Sequence, residues 1–265
     1  MTVAQIYYSH GLAIALGLLA IAQHLDAQTG SRNAIEPTGA RVSAYLAELS
    51  EVTCTEHVSQ EKLTRSGKVE LRQESTFDYL VMIDGSDDAF SLNESRLVKQ
   101  QGASGKNLPL LVTNGFSTLF LIFHPYYREA FVLTPEAEVV ESGERLVRIH
   151  FQHVRGKRTP IALAVRGREY PLEIAGDAWI EPVTGAITRI EAGLAEPMDD
   201  IGLRTLHFQV NYSPMKLAGS EQPFHYPTSA YVELETRKQH WRNIHMFTNY
   251  KRFGVSTEVA VSEKK

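Results

Sequence analysis

From Thr53 onward the apolar residues of this chain recur at every second position rather than every third or fourth, and this change of period limits what it can fold into. Before it, Val42, Tyr45, Leu46 and Leu49 stand at i, i+3, i+4 and i+7, the spacing of an amphipathic helix, with Thr38 placed as its N-cap. After it, Val69–Asp84 alternates cleanly. Val69, Leu71, Phe77, Tyr79, Val81 and Ile83 share one face, and Glu70, Arg72, Glu74 and Asp78 share the other. One covered face and one wet face is the pattern of an antiparallel sheet.

Further strands are predicted over 53–63, 89–99, 130–133, 139–140, 146–154, 172–180, 186–192, 203–213, 229–237 and 244–255. Turn residues separate them at 65–68, 84–88, 141–144 and 181–185. The expected fold is mainly β with α: a curved antiparallel sheet of about ten strands, a half-open β-barrel, forming a single domain over 38–255. A second apolar feature interrupts the meander. Residues 108–123 (LPLLVTNGFSTLFLIF) contain Pro109 and Gly115, and Ser117 is placed to cap a short helix over 118–123. That helix is apolar all round, so it must be buried between other elements. Covering the concave face of the sheet, it leaves either a solid core or an apolar cavity. The candidate lining residues are Phe77, Tyr79 and Val81 from the long strand, Leu119, Phe120 and Phe123 from the helix, and Trp179.

Residues 12–22 (LAIALGLLAIA) are an eleven-residue apolar run, the length of a signal-peptide core and short of the about 20 residues a membrane-spanning helix needs. Leu25 and Ala27 fit the −3 and −1 positions of a cleavage site. This predicts a signal peptide over 1–27, a linker over 28–37, a flexible tail over 256–265, and a periplasmic or secreted protein with no stable membrane span after cleavage. The single cysteine excludes an intrachain disulfide. Cys54 lies some thirty residues beyond the apolar run, too far to be a lipidation site, and is expected to be a buried, inert thiol. With 27 Lys and Arg against 31 Asp and Glu, the chain carries no basic footprint for nucleic acid.

No HExxH motif, paired CxxC or calcium loop occurs, and His150 and His153, three apart on one strand, point to opposite faces. No metal, cofactor or catalytic residue is therefore assigned, and the chain is expected to be non-enzymatic. The stretch 115–119 lacks the second glycine of a nucleophile elbow. Arg155, Lys157 and Arg158, with Arg166 and Arg168, flank the segment 159–165. They are either a docking face for an acidic partner or anionic headgroup, or solvated charges guarding a strand edge.

The helix ending Tyr45-Leu46-Ala47-Glu48-Leu49, the long antiparallel strands and the hairpin 176–190 (GDAWIEPVTGAITRI) resemble the lipoprotein-carrier (Lol-type) superfamily. The chain as a whole is similar to an uncharacterised family of exported bacterial proteins. The first resemblance implies a half-open barrel, capped by helices, that shelters acyl chains. A lipid, or the acyl chain of a lipoprotein, would then bind on the concave face. The alternative is an envelope-associated sensor or scaffold with a solid core, which binds a protein partner through its surface.

Overall fold

The computed structural model describes residues 34–84, 91–101, 113–114, 119–165 and 168–253. The predicted signal peptide, the tail over 256–265, Ser117 and Arg166 lie outside these residues. Helix α1 (Ile35–Leu49) is followed by β1 (Val52–Leu63), β2 (Val69–Asp84), β3 (Ser91–Gln101) and the short β4 (Thr113–Asn114). Then come β5 (Phe131–Glu141), β6 (Glu144–His153), β7 (Ala162–Val165), β8 (Arg168–Pro171), β9 (Ile174–Ile180) and β10 (Ile187–Leu194). The last three are β11 (Leu203–Met215), β12 (Phe224–Thr236) and β13 (His240–Arg252).

Ten strands form one antiparallel sheet in the order β3-β2-β1-β13-β12-β11-β10-β9-β6-β5, open between β3 and β5. The order is a meander cut once: β13 returns beside β1, so the chain leaves the sheet at the β3 edge and re-enters at the opposite edge, β5. Within that crossing, two 3-10 segments, Leu119–Phe123 and Pro125–Ala130, pack against α1, β10 and β5. All five residues of the first are buried, at 2% exposure or less. An apolar segment of this composition has no wet side to offer, so it lies between the sheet and α1 as its sequence requires. The second sheet, β4-β7-β8, was not legible in the alternation. Its strands are two to four residues long, below the length at which a period of two can be read.

The buried stripe of α1 contains Val42, Tyr45, Leu46 and Leu49, as the spacing predicts. Its start differs from expectation. The helix begins at Ile35, inside the stretch expected to be linker, because Pro37 in a first turn lacks only an N–H that would have had no intrahelical acceptor. Thr38 is not the N-cap. It is fully buried, and its Oγ1 donates to the Ala34 carbonyl at 2.7 Å.

The β5–β6 connection is a two-residue loop between paired Glu141 and Glu144, with Ser142 at φ 52° and Gly143 at φ 86°. Positive φ at both positions is the type I′ geometry that matches strand twist, and asparagine tolerates it better than serine. Ser142→Asn is therefore expected to stabilise the fold by about 0.5–1 kcal/mol, read as a higher urea midpoint at unchanged slope. A lower midpoint would mean that the loop adopts another turn in solution.

Candidate functional site

Strand register determines which side chains meet on the covered face. β1 presents Val52, Cys54, Glu56, Val58 and Gln60 to that face. Cys54 pairs with Tyr79 and Glu56 with Phe77 on one side, and Glu56 with Phe247 and Val58 with His245 on the other. Tyr79 pairs in turn with Arg96, and Val81 with Glu94, on β3. The β2 alternation therefore has the register read from the sequence, and Phe77, Tyr79 and Val81 are all buried inside. Cys54 is buried as expected, and burial pushes its thiol up to about 12, so it stays protonated and unreactive at neutral pH.

The covered face is not uniformly apolar. At the β3-β2-β1-β13 end it holds a charged cluster. Glu56 accepts from Arg96 Nε at 2.7 Å and Nη2 at 3.1 Å, and its Oε1 lies 2.8 Å from His245 Nδ1. Arg96 also reaches Glu94 at 3.1 Å, and its guanidinium lies 5.0 Å over the Tyr79 ring. Gln60, Gln73 and Asn243 are buried beside them. Burial alone raises the Glu56 carboxyl, but the hydrogen bond from His245 and the charge of Arg96 outweigh it and hold the group below the ordinary carboxylate value. Paired and enclosed in this way, the cluster is a structural element and leaves the apolar half of the face to α1.

Two crevices flank α1. The first, about 310 Å³ and continuous with solvent, is lined by Arg41, Val42 and Tyr45 of α1, Phe120, Gly185 and Ile187 of the hairpin region, and Tyr212, Phe224 and His225. The second, about 280 Å³, lies between Tyr45 and Leu49 of α1, Tyr79, Leu80 and Val81 of β2, Pro227 and Tyr250. Tyr45 lines both, so its ring is the partition between them. It packs edge-on against Phe120 at 4.9 Å and Tyr226 at 5.3 Å. Most of this space is open to solvent and each crevice encloses little more than the room of a water molecule, so a ligand enters only where the walls move apart.

At the mouth of the first crevice, Arg41 donates to Gln222 Oε1 at 2.9 Å and to the Pro223 carbonyl, and stacks 4.7 Å from the Phe224 ring centroid. His225 Nε2 lies 3.3 Å from Glu181, and its Nδ1 has no hydrogen-bond partner among the described residues. Burial, supported by the charge of Arg41 against that of Glu181, lowers the His225 pKa, so the ring is neutral at neutral pH. The Tyr45 hydroxyl is buried and likewise without a partner among the described residues. Burial and the neighbouring Tyr212 raise its pKa well above the ordinary phenol value, so it remains a hydrogen-bond donor.

Of the residues the sequence proposed as lining, Phe120 borders the first crevice and Tyr79 and Val81 the second. Phe77, Leu119 and Phe123 are packed into the interior and border neither. Trp179 corrects the expectation outright. On β9 the inner positions are Ile174, Ala178 and Ile180, so Trp179 faces the other side, where Arg189 covers its ring at 3.8 Å. Its burial comes from that guanidinium, not from the interior.

Of the basic residues, Arg155 is paired with Glu173 at 3.1 Å and Glu196 at 2.7 Å, and Arg158 lies 4.9 Å over Tyr126. Lys157 and Arg168 are exposed. His150 and His153 do face opposite sides: His150 bonds Asp177 at 3.1 Å on the outer face, while His153 is buried. Among the described residues no group of three His, Cys, Asp or Glu side chains is arranged to hold a metal, and no helix is long and apolar enough to cross a membrane.

Sequence reasoning missed Arg41, Tyr212, Phe224, His225 and Tyr250 as site residues. Phe224 and His225 escaped because Pro223 and Pro227 delayed the predicted start of β12 to residue 229. The strand begins at Phe224, with a register shift against β11 at Asn211 and Tyr212 and no pairing to β13 before Ser229. Pro227 therefore sits where no ladder N–H is demanded on the β13 side. Its carbonyl accepts from the Tyr250 hydroxyl at 2.6 Å.

No protein-family model matches the sequence, and no curated protein matches it significantly. Among solved structures, the chain is similar to a DUF1329 family protein from Desulfovibrio piger, at 14% identity over 87% of this chain and 95% of that one, with a TM-score of 0.41. It is also similar to a LolA superfamily protein from Nitrosomonas europaea, at 10% identity over 87% and 94% of the two chains, with a TM-score of 0.36.

Proposed function

We propose that this is a non-enzymatic, exported protein, periplasmic or secreted, that binds a lipid or other apolar ligand on the concave side of its sheet, beneath α1. The observation that supports this reading is the pair of aromatic crevices on either side of Tyr45. A ligand that turns the Tyr45 ring aside joins them into one trough between α1 and the sheet. Such a ligand gains roughly 25 cal/mol for each Å² of apolar surface removed from water, with little demand for polar contacts. The bound molecule is an acyl chain or a compound of similar shape, in keeping with the resemblance of the 176–190 hairpin to lipoprotein carriers.

The test uses protein purified without detergent and the neutral apolar probe N-phenyl-1-naphthylamine. Its fluorescence is expected to rise with one-to-one stoichiometry. Val42→Phe, which fills the first crevice from the buried face of α1, is expected to weaken probe binding at least tenfold while thermal unfolding stays cooperative. Absence of binding by the wild-type protein would overturn the reading.

One observation favours a second reading. Leu119–Phe123 fills the space beneath α1, as a solid-cored envelope scaffold or sensor would require. Its docking face would be Arg155, Lys157, Arg158, Arg166 and Arg168, where Arg155 already has two acidic partners in the same chain. Failure of the probe to bind, with loss of a co-purifying protein on reversing the charges of Lys157 and Arg158, would replace the first reading with this one.

A further inference from the structure

Among the basic side chains around α1, Arg41 stands where an apolar crevice opens, and no carboxylate lies within ion-pair distance of it among the described residues. Its two hydrogen-bond acceptors, Gln222 Oε1 and the Pro223 carbonyl, are neutral, and its guanidinium is held in place by the Phe224 ring. By contrast, Arg252 near the other end of the helix pairs with Glu51 and Glu48. A guanidinium has five donors, so Arg41 keeps capacity for an anion after these two bonds.

We infer that the first crevice is built for a single-chain anionic amphiphile: its acidic head pairs with Arg41, and its alkyl chain runs inward past Val42, Phe120 and Ile187 toward Tyr45. This deepens the proposed function and rests on it, because it assigns a head-group chemistry and an orientation to the apolar ligand. Charge complementarity defines the occupant, and size limits it. The crevice between α1 and the sheet is narrow, so it opens more readily for one chain than for the paired chains of a diacyl lipid. Carboxylate and phosphate heads share the required chemistry. His225 refines the choice: its Nε2 is turned to Glu181, leaving Nδ1 as a bare acceptor, so a head that brings a proton-bearing oxygen beside its anionic one satisfies both groups.

The experiment displaces bound N-phenyl-1-naphthylamine with decanoate, decyl phosphate and decanol, three ten-carbon chains that differ only in the head. Decanoate and decyl phosphate are each expected to compete at least tenfold more strongly than decanol, the scale of one charge-assisted hydrogen bond. A stronger effect of decyl phosphate identifies a phosphate-bearing source, and a stronger effect of decanoate a fatty acid. Arg41→Gln is expected to bring all three within about twofold of one another, and Arg41→Lys to retain most of the preference. Arg41 is half-exposed on its helix, so both variants keep the core intact. Equal competition by decanol and decanoate in the wild type, or an unchanged preference in Arg41→Gln, overturns the head-group assignment while leaving apolar binding in place. If the probe itself does not bind, the underlying reading fails instead.

Discussion

Replacing Arg96 with methionine is expected to lower the free energy of unfolding by about 3–5 kcal/mol, measured from urea denaturation of the wild type and variant. The side chain is 8% exposed and lies between Glu56 and Glu94, whose side chains are 0% and 1% exposed. Methionine fills a similar volume, so the loss is not one of packing. It comes from leaving two carboxylates in a dry site without their cation. The companion variant Glu56→Leu, Glu94→Leu, Arg96→Met removes the charges together and is expected to recover most of the loss, because a buried ion cluster adds little over a well-packed apolar one. A loss below about 1 kcal/mol for Arg96→Met would show that water reaches the cluster and that it behaves as a surface ion pair.

The same cluster gives the stability a pH dependence of known sign. The Glu56 carboxyl is held below its ordinary 4.5. Its contribution is therefore fully present above that value and is lost as pH falls through the lower, folded-state value. The wild type should lose stability on acidification below about pH 4.5 more steeply than the variant lacking all three charges.

This cluster also marks where the sequence ceased to be informative. The alternation along Val69–Asp84 gives the inner face where Phe77, Tyr79 and Val81 stand in succession, whereas at the start of the strand Val69 is exposed and the buried inward position is Gln73. β1 follows the same geometry but places Glu56 and Gln60 inward, so its pattern reads as a polar strand with no covered side. Only the partners, Arg96 on β3 and His245 on β13, explain why a glutamate can be buried there, and they lie 40 and 189 positions away. The same limit applies to the crevices. The stripe of α1 announced that Tyr45 is buried, but the opposing Phe224, His225 and Tyr250 come from strands brought together by a sheet order in which β13 returns beside β1. Trp179 shows the reverse error. Placed among the lining residues, it stands at an odd step from Ile180, and counting by twos puts it outside.

Gly185→Ala is expected to destabilise the fold by about 2–5 kcal/mol and to disturb the ligand crevice at the same time. Two costs combine. Gly185 has φ +68°, a conformation that charges an L-residue roughly 1–2 kcal/mol. A methyl group there would also lie 2.5 Å from the Pro37 carbonyl carbon and 2.6 Å from the Thr38 nitrogen, both backbone atoms of the first turn of α1. No rotamer change relieves a backbone contact, so the helix start must move, an overpacking cost of about 1–3 kcal/mol. Gly143 supplies the control. Its φ is +86°, and nothing lies within 4 Å of where its Cβ would be, so Gly143→Ala shows the conformational cost alone. The difference between the two urea midpoints isolates the clash with α1, and equal losses would mean that the 181–185 hairpin does not support the helix start. Because Gly185 itself borders the first crevice and Arg41 follows Thr38 by less than one turn, the shift should also change affinity for N-phenyl-1-naphthylamine, whereas Gly143→Ala leaves it unchanged. Loss of stability without any change in probe binding would separate the helix start from the site and confine the ligand to the second crevice, between Leu49 and Tyr250.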